Sequence, residues 1–93
     1  MLFLVISTPR AEHPSALVGD RTRYWDWMRP LLDKGLARSV HARVGRGAVA
    51  LFDVPSNEIL HQLLNEWADI IAAQFDVYPL LDEESAKAFL RAQ

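Results

Sequence analysis

The chain contains no cysteine among its 93 residues. That excludes a disulfide framework and a thiolate zinc site. Long apolar runs are missing too. The opening run Leu2–Ile6 is far shorter than the ~20 residues that cross a bilayer, and no basic segment precedes it as in a signal peptide. Strong charge of either sign is absent: a net charge of −2 leaves no electrostatic footprint for nucleic acid. The three histidines, His13, His41 and His61, fall at no metal-ligand spacing. Repeats, linkers and low-complexity segments are lacking. These absences predict one domain over residues 1–93, cytoplasmic, needing no metal and having neither nucleic acid nor membrane as a partner.

What is present is an ordinary globular composition, 51% apolar and 24% charged. A domain of this size buries only roughly 60–65% of its unfolded surface, so a partner subunit would help its core. Leu2–Thr8 is continuously apolar and β-branched and predicts a strand buried on both faces. Pro9–Ser15 predicts a loop, with Ser15 placed to cap a helix that runs from about Ala16 to Lys34. Pro30 should kink that helix or start a new turn, and Gly35 closes it. Ala37–Val44 alternates, with Val40, Ala42 and Val44 on one side and Ser39, His41 and Arg43 on the other. Gly45–Gly47 reads as a hairpin turn, and Ala48–Val54 as a second buried strand. Pro55 lies just outside a second helix, about Asn57–Ala73, which Ser56 caps. Its apolar arc holds Ile59, Leu60, Leu63, Leu64, Trp67, Ile70 and Ile71. Phe75–Leu81 predicts a fourth strand and Glu83–Gln93 a short terminal helix.

The order β-α-β-β-α-β plus a tail predicts an α+β, ferredoxin-like domain: a four-stranded antiparallel sheet with both helices on one face. The strands read as apolar on both sides. Two such sheets packed face to face would bury that surface in a dimeric α/β barrel, a homodimer or higher oligomer.

The stretch Ala50–Leu64, "ALFDVPSNEILHQLL", with the opening "MLFLV" and the "DKG" before the second strand, resembles the muconolactone delta-isomerase family. The similarity runs from Met1 to about Leu81. It implies small ferredoxin-like subunits that dimerise through their sheets, and a cofactor-free enzyme that moves a proton beside a lactone carbonyl. The first helix departs from the family pattern, which is rich in Lys and Glu. Arg21 stands near the family's lysine, and Tyr24 and Asp26 near its glutamates. Three large aromatic rings are added.

The chemistry centres on that first helix. At about 100° per residue, Leu17, Tyr24, Trp25, Trp27, Met28, Leu31 and Leu32 share one arc. Arg21 falls near its centre and Asp20 just inside one edge. A guanidinium there suits a planar carboxylate or enolate, unless its long stem simply carries it past its neighbours to water; a buried guanidinium would need Asp20 or a ligand as counter-charge. His41 is the candidate proton carrier, because a neutral imidazole exchanges protons near pH 7. Arg21 and His41 are expected to face a common cavity, with Ser39 and Arg43 beside His41. Tyr24, Trp25, Trp27 and Tyr78 would shape an aromatic wall, and His13 would border the mouth. His61 is expected at the surface. The small-molecule substrate would be a carbonyl compound undergoing a proton shift. A cyclase or cofactor-free oxygenase of a polyketide or natural-product pathway, and a non-catalytic ligand-binding subunit, are the alternatives.

Overall fold

The computed structural model describes residues 1–10 and 18–93. Among these residues four strands and three helices follow one another as β1 (Leu2–Pro9), α1 (Val18–Lys34), β2 (Ala37–Ala42), β3 (Ala48–Asp53), α2 (Asn57–Ile70), β4 (Ala73–Leu80) and α3 (Glu83–Arg91). The sheet runs β2-β3-β1-β4 with every neighbour antiparallel. This is the expected ferredoxin-like arrangement. Among the described residues, no helix is long and apolar enough to cross a membrane.

Local chemistry sets the boundaries. Ser56 caps α2, its side chain accepting from the Ile59 N–H, and Asp82 caps α3 through the Ser85 N–H at 2.7 Å. Each bond satisfies an orphan donor of a first turn. Gly35 ends α1 at a φ of 79°, where a side chain would be strained. Pro30 does not end the helix: α1 runs through it to Lys34.

One face of the sheet carries the core. Phe3, Val5 and Ser7 of β1 alternate inward with Ala48, Ala50 and Phe52 of β3. Against them α1 buries Tyr24, Met28 and Leu31, and α2 buries Leu60, Leu63 and Trp67. Trp67 is the largest fully buried side chain. Its ring centroid lies 4.9 Å from Tyr24 and 5.1 Å from Phe75. The other face, with Leu2, Leu4, Ile6, Val49 and Leu51, is covered by no element among the described residues and stays only half-buried. At one end of the sheet Arg38 donates from Nε to Asp53 at 3.0 Å. That hydrogen bond leads the causes that hold the Asp53 carboxyl below the usual aspartate range.

The β2–β3 turn is fixed by a close approach. Gly47 has a φ of 100°, and a Cβ there would stand 2.5 Å from the Ser7 carbonyl oxygen. Gly47→Ala should therefore lower stability by at least about 1–3 kcal/mol, since strain at positive φ adds to the clash. A urea melt that coincides with wild type would contradict this account of the turn.

Candidate functional site

A cleft opens where the N-terminal half of α1 passes over the β2–β3 turn and the ends of β1 and β4. Its walls include Arg21, Tyr24, Trp25, Arg43, Arg46 and Trp67, with Ser7, Gly47 and Ala73 among the backbone-rich rim and floor. Helix periodicity explains the first wall. Tyr24, Met28 and Leu31 form the buried stripe of α1 at i, i+4, i+7 spacing. Arg21, three residues before Tyr24, extends that stripe past the end of the core. Its side chain is exposed, yet it lines the cleft. It is therefore not a guanidinium sunk among apolar neighbours.

The counter-charge expected from Asp20 goes elsewhere. Asp20 is ion-paired with Arg23, one turn further along the helix. Arg21 has no ion-pair partner among the described residues. Arg43, in contrast, is committed: its Nη1 donates to the Ser7 carbonyl at 3.0 Å and to Thr8 Oγ1 at 3.3 Å. It ties the turn to the end of β1. Ser7, the one buried polar residue among the described residues, accepts from the Ala48 N–H at 2.9 Å and donates to the Ala48 carbonyl at 3.3 Å.

Tyr24 is the singular group. Its ring is buried beside Trp25, Trp27 and Trp67, with centroids 4.9–5.9 Å away. Its hydroxyl is buried and has no hydrogen-bond partner among the described residues. Burial pushes the phenol well above the ordinary tyrosine value, so it remains a proton donor. An unpaired buried hydroxyl costs about 1–3 kcal/mol. Tyr24→Phe should therefore raise the melting temperature while weakening anion binding in the cleft. A lower melting temperature would mean that the hydroxyl already has a partner.

The sheet face corrects several expectations. His41 pairs with Val49 and Ser39 with Leu51 on the outer face, away from the helices. His41 does not meet Arg21 in one cavity. Tyr78, opposite Leu4, also lies on that outer face and is exposed. Arg43 does reach the cleft. The expected alternation to Val44 fails because β2 ends at Ala42 and the chain already turns. Trp27 packs half-buried between the helices, its indole N–H donating to Glu66 at 2.9 Å, and does not line the cleft. Trp25 lines it and remains 45% exposed. His61 is at the surface, as expected. His13 lies outside the described residues.

Trp67, Ser7 and Arg46 are cleft residues that the sequence reading passed over. Ser7 is signalled in the sequence as the first polar residue after the apolar run of β1. Trp67 was hidden in an ordinary helix arc. Among the described residues no cluster of three or more His, Asp or Glu is placed to hold a metal ion, and the described lining contains no carboxylate or imidazole. The arrangement offers donors for an anionic oxygen between aromatic rings. The cleft is open to solvent on one side and has a volume of about 80 Å³.

Comparison with known proteins places this geometry. Residues 1–93 match the family described as "Domain of unknown function (DUF3303)". No curated protein sequence matches the chain. Among solved structures, 5-chloro-2-hydroxyhydroquinone dehydrochlorinase from Burkholderia phenoliruptrix, in complex with 2,5-dihydroxybenzoquinone, is similar with a TM-score of 0.72. It shares 15% identity over 91% of this chain and 98% of that one. A muconolactone isomerase is similar with a TM-score of 0.70 and 25% identity, covering 91% of this chain and 93% of that one. The resemblance noted in the sequence thus holds at the level of the shared fold.

Proposed function

The chain belongs to the DUF3303 family, and we propose that it is a cofactor-independent, isomerase-like enzyme that shifts a proton beside the carbonyl of a small planar substrate. The cytoplasm is its proposed place of action, and a homodimer packed through the bare sheet faces its working form. The observation that carries the reading is an exposed guanidinium on a cleft whose wall includes Tyr24, a buried phenol without an acceptor. Arg21 lacks an ion-pair partner and the Tyr24 hydroxyl lacks an acceptor, both among the described residues. One enolate or carboxylate oxygen would satisfy both.

In this proposal the substrate ring lies between Trp25 and Trp67, with its carbonyl oxygen toward Arg21 and Tyr24. A proton leaves the neighbouring carbon to water at the open mouth. The electron pair moves onto oxygen, where the guanidinium and the neutral phenol stabilise it. A proton then returns at the conjugate carbon, so the product keeps the substrate's formula. Donors aimed at developing charge supply most of the rate in such a step, each worth about 10²–10³-fold. The two similar structures are named for an isomerase and a dehydrochlorinase, which supports an enzymatic role for this cleft.

The test is proton exchange in D₂O, followed by NMR, with single-ring unsaturated lactones and cyclic enones. The reading expects protein-dependent deuterium uptake next to the carbonyl, reduced at least tenfold in Tyr24→Phe. Saturable binding with no uptake across the panel would replace it with a non-catalytic ligand-binding role.

A further inference from the structure

The cleft carries more positive charge than one oxyanion can offset. Arg21 lines it from α1, and Arg43 and Arg46 line it from the β2–β3 turn. Arg46 is engaged in an interaction of its own. Arg21 and Arg43 have no ion-pair partner among the described residues, and neither does Arg10, which follows Pro9 of the rim. The arginines elsewhere are different. Arg23, Arg29, Arg38 and Arg91 each meet a carboxylate, from Asp20, Asp33, Asp53 and Glu84 respectively. The chain as a whole has a net charge of −2, so the positive excess is local to this end of the sheet. Such a field draws anions toward the cleft.

Arg43 is held in place before any ligand arrives. Its stem crosses Gly47, where an added Cβ would stand 3.3 Å from the Arg43 Cδ. Its Nη1 is tied to the Ser7 carbonyl at 3.0 Å and to Thr8 Oγ1 at 3.3 Å. Both acceptors are neutral, so these bonds orient the guanidinium without cancelling its charge. Nε and Nη2 have no hydrogen-bond partner among the described residues. Together they form one edge of the planar fork, and such an edge takes a carboxylate bidentately. An arginine already oriented in this way loses less side-chain freedom on binding than a free one.

The two uncompensated charges come from different elements, the helix above the cleft and the turn below it. Trp25 and Trp67 line the same space. Aromatic walls suit a flat ring, and separate guanidiniums suit two anionic groups placed apart on that ring. A ring with one anionic group leaves one guanidinium unanswered and can turn about its single contact. Two anchors fix its orientation, which is what a reaction at one chosen carbon requires.

We propose that the cleft selects a planar ring carrying two anionic groups before any proton moves: one at Arg21, and a ring carboxylate at Nε and Nη2 of Arg43. Arg43 is then a specificity-determining residue, and a neutral enone or a monoanionic lactone is only a partial ligand. The inference rests on the anion-binding reading of this cleft, and the experiment separates the two.

Tryptophan fluorescence titrations compare four probes at about pH 7.5, where carboxyl groups are ionised and phenyl phosphate is a dianion. Salicylate has one charge, its 4- and 5-carboxylate derivatives have two on one ring, and phenyl phosphate has two on one group. In wild type at least one carboxysalicylate should bind tenfold or more tighter than salicylate. Arg43→Gln should erase that gain and leave salicylate within threefold of its wild-type affinity. Thr8→Val, which removes one anchor of the turn but keeps the guanidinium, should retain the gain. Circular dichroism checks each fold; should Arg43→Gln unfold, Arg43→Lys takes its place and should lose at least threefold of the gain, because an ammonium lacks the fork. Equal wild-type affinity for salicylate and both dianions overturns the second anchor and leaves the anion-binding cleft standing. An equal loss of the gain in Thr8→Val and the Arg43 variant overturns it too, by assigning Arg43 to the turn. Phenyl phosphate binding as tightly as the better carboxysalicylate replaces two anchors with one doubly charged group. No binding of any probe overturns both readings.

Discussion

Arg21→Leu will lower affinity for a small planar anion such as salicylate by roughly 30- to 1,000-fold, or about 2–4 kcal/mol, the range lost with a principal oxyanion donor. The same variant will keep its stability within about 0.5 kcal/mol of wild type, because exposed positions away from caps and networks change little. The separation follows from where Arg21 sits. It continues the buried stripe of α1 beyond the core, touches the cleft, and has no ion-pair partner among the described residues. Nothing in the fold depends on it, whereas an anion in the cleft has no other uncommitted guanidinium on α1, since Arg23 is paired with Asp20 and Arg29 with Asp33. Paired fluorescence titration and thermal melts read the two quantities. A lower melting temperature with affinity intact would assign Arg21 to structure.

The largest loss of stability is expected from Trp67→Ala, at about 3–5 kcal/mol. Trp67 joins both halves of the molecule, contacting Tyr24 and Trp27 of α1, Phe52 of β3 and Phe75 of β4. Against a typical domain stability of about 5–15 kcal/mol, this removes roughly a fifth or more and takes away one wall of the cleft. Urea denaturation measures it, and a loss below about 1 kcal/mol would show that the helices hold to the sheet without this residue.

The element order was readable because each device that sets it is local. Ser56 and Asp82 cap, Gly35 and the Gly45–Gly47 turn reverse the chain, and the strands are continuous apolar runs. Boundaries moved by a few residues where the pattern fades: α2 ends at Ile70, and β4 begins at Ala73. The site was harder to read. When both faces of a strand are apolar, alternation tells which residues share a side but not which side the helices cover. His41 and Ser39 do share one face, the one turned away from the helices, and that face cannot meet Arg21, which α1 holds over the opposite one. Arg43 was grouped with them because alternation was carried past Ala42 into the turn. The helix wheel found Arg21 and Tyr24 together, since both lie on one stripe of one helix. It could not separate Trp27, which Glu66 of α2 engages, from Trp25, which remains at the mouth.

The most direct test of the anion-binding cleft is a ¹H–¹⁵N NMR titration of the wild-type protein with salicylate. The account predicts that the Arg21 Nε–H and the Trp25 indole N–H shift together and saturate, while His41 and the backbone of Tyr78 stay in place. Saturable shifts at His41 and Tyr78, with Arg21 unmoved, would put the ligand on the outer sheet face and contradict it.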